Sequence, residues 1–128
     1  MLFSICLLII FIYACKTPSN TTETTVMGNI DKFDFDINAL DKDGLMGLAT
    51  GKVSVDYKFC IPKGEEYIKT VQDIDPDIKI HRSSFGRNKC ADTQVTAVGT
   101  TNQPGHREIL LRLSKLDFVE KFNRVWYE

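Results

Sequence analysis

Apolar and polar residues alternate strictly from Lys52 to Cys60. A period of two is typical of a strand that buries one face and exposes the other to water. The side chains on the apolar face are Val53, Val55, Tyr57 and Phe59. The pattern therefore predicts a half-buried strand over residues 52–60, and the later elements are interpreted as its packing and pairing partners.

The residues after this strand switch between helical and strand-like patterns. Pro62 precedes a stretch with apolar residues at helical spacing, and Asp75-Pro76 ends it because a residue before proline is pushed out of the α region. A second apolar stripe predicts a helix over 106–116. Strands are predicted over 77–82, 94–100 and 119–127.

The predicted order is strand, helix, strand, strand, helix, strand. This order is that of the ferredoxin-like sandwich, an α+β fold (βαββαβ) in which a four-stranded antiparallel sheet carries two helices on one face. We therefore predict a ferredoxin-like α+β domain over residues 52–128.

An acidic entry segment, residues 31–51, precedes this domain. The alternation of Phe33, Phe35 and Ile37 predicts a short edge strand or a docking strip, and the two phenylalanines are candidates to cover the open face of the sheet. The aspartates of the segment do not match a calcium-binding EF-hand loop. With Gly44 at the sixth position of such a loop, the first and twelfth positions hold no carboxylate.

Residues 1–15 have the pattern of an export signal. They are almost wholly apolar, but the run is shorter than the roughly 20 residues that cross a membrane as a helix. At its end, Ile12-Tyr13-Ala14-Cys15 resembles the lipobox of bacterial lipoproteins, which is an aliphatic residue, a free position, a small residue and a cysteine. The resemblance implies that Cys15 becomes the acylated N-terminus. The protein would then be lipid-anchored in the cell membrane or outer membrane, facing the periplasm or the outside.

Residues 16–30 are rich in threonine and have no apolar period, which predicts a disordered tether between anchor and domain. An exported protein meets an oxidising compartment, where cysteines pair. Cys60 and Cys90 are predicted at one end of the domain and are interpreted as a structural disulfide. The competing interpretation, a redox or metal pair, has neither Cys-x-x-Cys spacing nor a histidine nearby in the sequence.

The most site-like stretch is the loop 81–90, which gathers four potential cations: His81, Arg82, Arg87 and Lys89. With a helix N-terminus beside it, this loop could bind an anion or a partner, although Glu65 and Glu66 begin that same helix. The open face of the sheet is the second candidate surface. No phosphate loop or Gly-x-Ser-x-Gly turn is present, so no cofactor or bound metal is expected.

The sequence favours a non-enzymatic binding or scaffolding module that acts on an envelope protein partner. The formal net charge of -1 provides no basic field for nucleic acid. One alternative is a small hydrolase or transferase acting on an anionic substrate at the loop 81–90. Acylphosphatases share the predicted topology, but their arginine-bearing glycine loop between the first strand and first helix has no match here. Another alternative, supported by fold analogy alone, is a protease-inhibitor-like domain.

Overall fold

A computed structural model of the chain describes residues 28–82 and 89–127. The strands are β1 (Leu45–Met46), β2 (Val53–Ser54), β3 (Asp56–Pro62), β4 (Lys79–His81), β5 (Gln94–Thr100) and β6 (Phe122–Arg124). The helices are α1 (Glu65–Ile74) and α2 (His106–Ser114), and short 3-10 turns lie at Ile30–Lys32 and Ile37–Ala39.

The main sheet is antiparallel, has four strands and follows the order β4-β5-β3-β6. Its centre is the pair β3 and β5, which runs from Asp56 opposite Thr100 to Pro62 opposite Gln94. Strands β1 and β2 form a separate antiparallel hairpin. The predicted α+β class, with two helices and a four-stranded antiparallel sheet, is confirmed.

Both helices share one core with a single face of this sheet. Along β3 apolar side chains alternate with polar ones, so Tyr57, Phe59 and Ile61 lie on the core face. The partners contributed to this core by the other elements are Val95 and Ala97 from β5, Phe122 from β6, Ile68 and Val71 from α1, and Leu110 and Leu113 from α2. The alternation on β3 therefore places its polar side chains on the opposite face of the sheet, which the helices do not cover.

The predicted strand over 52–60 is interrupted at Val55. Its first part, β2, pairs with β1 instead of the main sheet, and Val53 is 51% exposed, so its predicted burial is wrong. The Thr101 hydroxyl accepts a hydrogen bond from the Val55 amide (2.8 Å) and donates one to the Gly44 carbonyl (2.6 Å). One buried hydroxyl thus bonds to the residue before β1 and to the residue between β2 and β3. The chain passes from the hairpin to the main sheet at Val55.

The acidic entry segment packs on the helix side of the sheet. The Phe33 ring stacks on Phe122 with centroids 4.5 Å apart, and the Asp34 amide donates to the Phe122 carbonyl at 3.0 Å. Phe35 lies beside the Tyr57 ring, which also faces the helices. Of the two predicted alternatives, the structure shows the docking strip and not the edge strand, since Phe33 pairs with Phe122 only as an isolated bridge. The suggested cover of the open face is wrong, because the rings face the core.

Asp41 organises the turn before the hairpin. Its Oδ1 accepts hydrogen bonds from the backbone amides of Leu45 (3.0 Å) and Asp43 (2.9 Å), and its Oδ2 pairs with the Lys52 ammonium at 3.2 Å. The Leu45 amide is the largest of the influences that lower the pKa of Asp41, and Lys52 adds to it. The turn is therefore stabilised by the charged form of this carboxylate.

Replacing Asp41 by asparagine should lower the free energy of unfolding near neutral pH and have less effect in acid. The pKa of Asp41 is lower in the folded state, so its stabilisation is fully present above the unfolded-state value of about 3.9 and is lost as the pH falls through the folded-state value. Urea unfolding across a pH series measures this difference. The control is Asp43→Asn, because the Asp43 carboxylate has no hydrogen-bond partner in the described part of the chain. A constant difference for Asp41→Asn down to about pH 3 would contradict the assignment.

Candidate functional site

The face of the sheet opposite the helices carries mostly polar side chains. They alternate with the core residues along each strand, so the register of the strands determines which of them are neighbours. This open face comprises Asp56, Lys58 and Cys60 from β3, Lys79 and His81 from β4, Thr96, Val98 and Thr100 from β5, and Asn123 from β6.

A concavity of about 570 Å³ lies at one end of the open face. It is lined by Ser54, Asp56, Asp77, Lys79, His81, Val98, Gly99, Thr100, Asn102 and Tyr127. This lining offers two carboxylates, two basic side chains, three hydroxyls and one amide, together with an aromatic ring. Hydrogen-bond donors and acceptors, and charges of both signs, therefore surround one depression. This composition suits a partner whose surface is polar and either uncharged or mixed in charge.

The chain beyond β6 forms one wall of the concavity. The Val125 amide donates to the Asp56 carbonyl at 2.8 Å, which keeps the chain beside β3 after the last paired residue. The Tyr127 hydroxyl then donates to the Asp56 carboxylate at 2.7 Å, and this hydrogen bond raises the pKa of Tyr127. The Tyr127 ring itself is 71% exposed. The wall thus presents an aromatic side chain that is held at its hydroxyl and open to contact.

Lys58 is the most buried charged side chain of the open face, with 6% of its surface exposed. It lies opposite Val98 on β5 and Asn123 on β6. Burial lowers the pKa of its ammonium group, because removal from water disfavours the charged form. The amino group of Lys58 therefore lies buried at the centre of the face.

The predicted disulfide between Cys60 and Cys90 is confirmed. The two Cα atoms are 5.6 Å apart, and the Cys90 sulfur lies 3.2 Å from the Thr96 hydroxyl on the neighbouring strand. Cys60 belongs to the open face, so the bridge closes that face at the end away from Tyr127. A second depression of about 460 Å³ lies beside it, and Lys63, His81 and Arg82 contribute to its lining.

The four predicted cations of the loop 81–90 do not form one described cluster. His81 lies on β4 and lines both depressions, whereas Arg82 pairs with the Glu65 carboxylate at 3.2 Å. Lys89 is exposed beside the disulfide, and Arg87 lies outside the described residues. The Glu65 carboxylate at the start of α1 is thus paired with Arg82, one of the four predicted cations.

Metal ligands are not gathered in the described part of the chain. No three histidine, cysteine, aspartate or glutamate side chains within residues 28–82 and 89–127 come close enough to hold a metal ion. His81 lines the open-face concavity, while His106 is buried at the start of α2 beside Gly44.

Sequence reasoning missed most of the concavity. Asp77, Lys79 and His81 could have been placed on one face from the period of two over the predicted strand 77–82. Asn102 and Tyr127 could not be placed beside Asp56, because only the tertiary fold brings these segments together. The strands predicted over 77–82 and 119–127 are shorter in the structure, at Lys79–His81 and Phe122–Arg124, so Asp77 and Tyr127 lie outside them.

No family model, no curated protein and no solved structure matches this chain. Within the described residues, no helix has the length and apolar character needed to cross a membrane. The lipobox and Cys15 lie outside the described residues.

Proposed function

We propose that this protein is a lipid-anchored bacterial envelope protein whose folded part is a non-enzymatic binding module for another envelope protein. The binding surface is the open-face concavity. We also propose that β3 to β6 with the two helices form a ferredoxin-like sandwich. The strand order β4-β5-β3-β6 supports this, because the first and third strands of the unit are central and the second and fourth lie at the edges.

The observation that carries the binding proposal is the composition of the concavity. Asp56, Asp77, Lys79 and the Tyr127 ring come from separate segments and converge on one depression of about 570 Å³. Tyrosine supplies a large contact area with few rotatable bonds, and surrounding charges of both signs select a complementary partner. Arg82 supports the choice of this face over the loop 81–90, because its guanidinium is already paired with Glu65.

The proposed location rests on two independent features. The Cys60–Cys90 disulfide is the kind of bond that persists in oxidising compartments outside the cytoplasm. Residues 12–15 resemble a lipobox, and acylation at Cys15 would attach the domain to a membrane. Intact-mass measurement of protein extracted from membranes tests this part of the proposal. We expect a chain that begins at an acylated Cys15, and an unmodified chain would contradict the anchor.

Replacing Asp56 by arginine should reduce capture of the envelope partner at least about tenfold without changing the unfolding temperature, since a buried charge pair is not broken. The substitution reverses a charge in the concavity and removes the acceptor of the Tyr127 hydroxyl. Capture is measured by cross-linking in intact cells followed by affinity purification. The control is Asp73→Arg, an equal charge reversal at an exposed position of α1.

Equal capture by both variants would show that the concavity is not the binding surface. The alternative, a hydrolase or transferase, would be favoured by turnover of an anionic substrate by the wild-type protein. Arg82→Ala or Arg87→Ala should then lower the rate while the fold persists. Turnover that is unaffected by these substitutions would exclude the loop 81–90 as the catalytic site.

A further inference from the structure

The large apolar side chains that remain exposed are concentrated at one end of the described structure. Leu48 is 80% exposed in the loop of the β1–β2 hairpin, Val53 is about half exposed on β2, and Trp126 is 72% exposed beyond β6. Ile30 is exposed elsewhere, next to residues that pack on the C-terminal end of α2. Single exposed apolar residues are ordinary, but a group of them on one surface indicates a contact site.

Direct contacts join Val53 and Trp126 into one surface through Met46 and Arg124, and Leu48 lies two positions after Met46 in the hairpin loop. Met46 lies opposite Val53 in the hairpin, which puts both side chains on the same side of the strand pair. The Arg124 guanidinium lies 3.4 Å from the Met46 sulfur and 4.0 Å from the centre of the Trp126 ring. We call this surface the hairpin patch; it consists of Met46, Leu48, Val53, Arg124 and Trp126.

We propose that the hairpin patch docks on the interface of a lipid bilayer. A tryptophan ring has an apolar body and a polar N–H, and it therefore favours the boundary between headgroups and acyl chains. Leu48 at the loop tip adds an aliphatic side chain that can enter this boundary. The guanidinium of Arg124, whose described side-chain contacts are the Met46 sulfur and the Trp126 ring, provides a cation for lipid phosphates.

The length of chain before the described residues favours a bilayer over a soluble protein as the occupant. Residues 16–27, twelve in number, separate Cys15 from Gly28. Even fully extended, they span at most about 43 Å. A domain of about 100 residues has a radius of gyration of about 13 Å, so an anchored domain stays within a few domain diameters of the bilayer. This step rests on the proposed acylation of Cys15.

Trp126 is the single tryptophan of the chain, so its fluorescence reports on the hairpin patch alone. The full chain with an N-terminal hexahistidine tag is captured on vesicles of phosphatidylcholine, phosphatidylglycerol and a nickel-chelating lipid. This attachment holds the domain at the bilayer without acylation, because acylation at Cys15 requires a cleavage that would remove the tag. A second set of vesicles contains brominated acyl chains, which quench tryptophan on contact.

We expect vesicle capture to shift the emission of Trp126 to shorter wavelength, and brominated lipid to quench it. Quenching should fall at least about two-fold in Leu48→Asp, because a charge at the loop tip opposes entry into the interface. Ile30→Asp, the matched change at an exposed position outside the patch, should be quenched like the wild type. Both positions are exposed, so neither substitution should prevent folding.

Equal quenching in the wild type and Leu48→Asp, or no quenching in either, would overturn the docking proposal. A shift of the emission that requires an added envelope protein would likewise overturn it and assign the hairpin patch to a protein partner. Flotation of untagged protein extracted from cells tests the anchor separately. Its failure would contradict the proposed lipidation while the quenching result on captured chains still decides the docking.

Discussion

Removing both cysteines of the disulfide, Cys60→Ala with Cys90→Ala, is expected to lower the free energy of unfolding by roughly 3–4 kcal/mol. The bond joins residues 30 positions apart and so restricts a long loop in the unfolded chain. In the folded protein it connects central strand β3 to the segment that enters β5. Alanine is the suitable replacement, because serine would add a hydroxyl beside Thr96.

Urea unfolding of the double variant and of the wild type, each with and without a thiol reductant, measures this effect. The reductant should destabilise the wild type to the level of the double variant and leave the double variant unchanged. A loss below about 1 kcal/mol would indicate that the unfolded chain is already restricted in this region. The seven paired positions of β3 and β5 should persist after reduction, because the core face does not include either sulfur.

Local sequence patterns correctly predicted the strands and helices whose ends are set by residues nearby in the sequence. The strand over 94–100 coincides with β5, α2 begins at residue 106, and α1 stops before Asp75-Pro76. A proline or a periodic run of apolar residues affects the backbone only within a few positions. Its effect on where an element begins or ends can therefore be predicted from a single sequence. The helix predicted to 116 ends instead at Ser114. Its hydroxyl donates to the Leu111 carbonyl and accepts from the amide of the distant Asn29.

Features that depend on remote partners could not be predicted from the sequence. The pairing of β2 with β1 instead of the main sheet has no local signal, because Val53 fits a buried face as well as Val55 does. The Tyr127–Asp56 hydrogen bond joins residues 71 positions apart, and it shapes the candidate site. The concavity is therefore a product of tertiary packing. The disulfide was predictable because Cys60 lies on one recognisable strand and Cys90 shortly before another.

Replacing Gly44 by alanine is expected to lower the free energy of unfolding by about 2–4 kcal/mol. Gly44 has a φ of +77°, a left-handed conformation that costs a residue with a side chain. An added Cβ would also overlap the Thr101 carbonyl oxygen and would lie 3.3 Å from Cγ of His106. Since the clash is with the backbone of Thr101, the entry segment would have to move away from this residue.

The consequence extends beyond the turn because Thr101 bonds both to Gly44 and to the Val55 amide. Displacing Gly44 removes the acceptor of a buried hydroxyl and loosens the residue at which the chain enters β3. Hydrogen exchange at Val55, together with urea unfolding, measures the local and global parts of this loss. The matched control is Gly51→Ala in the hairpin loop, where an added Cβ meets no atom within 4 Å. A change there should stay within about 0.5 kcal/mol. Equal stability of the two variants would mean that the entry segment does not depend on its contact with Thr101, and that the core could form without it.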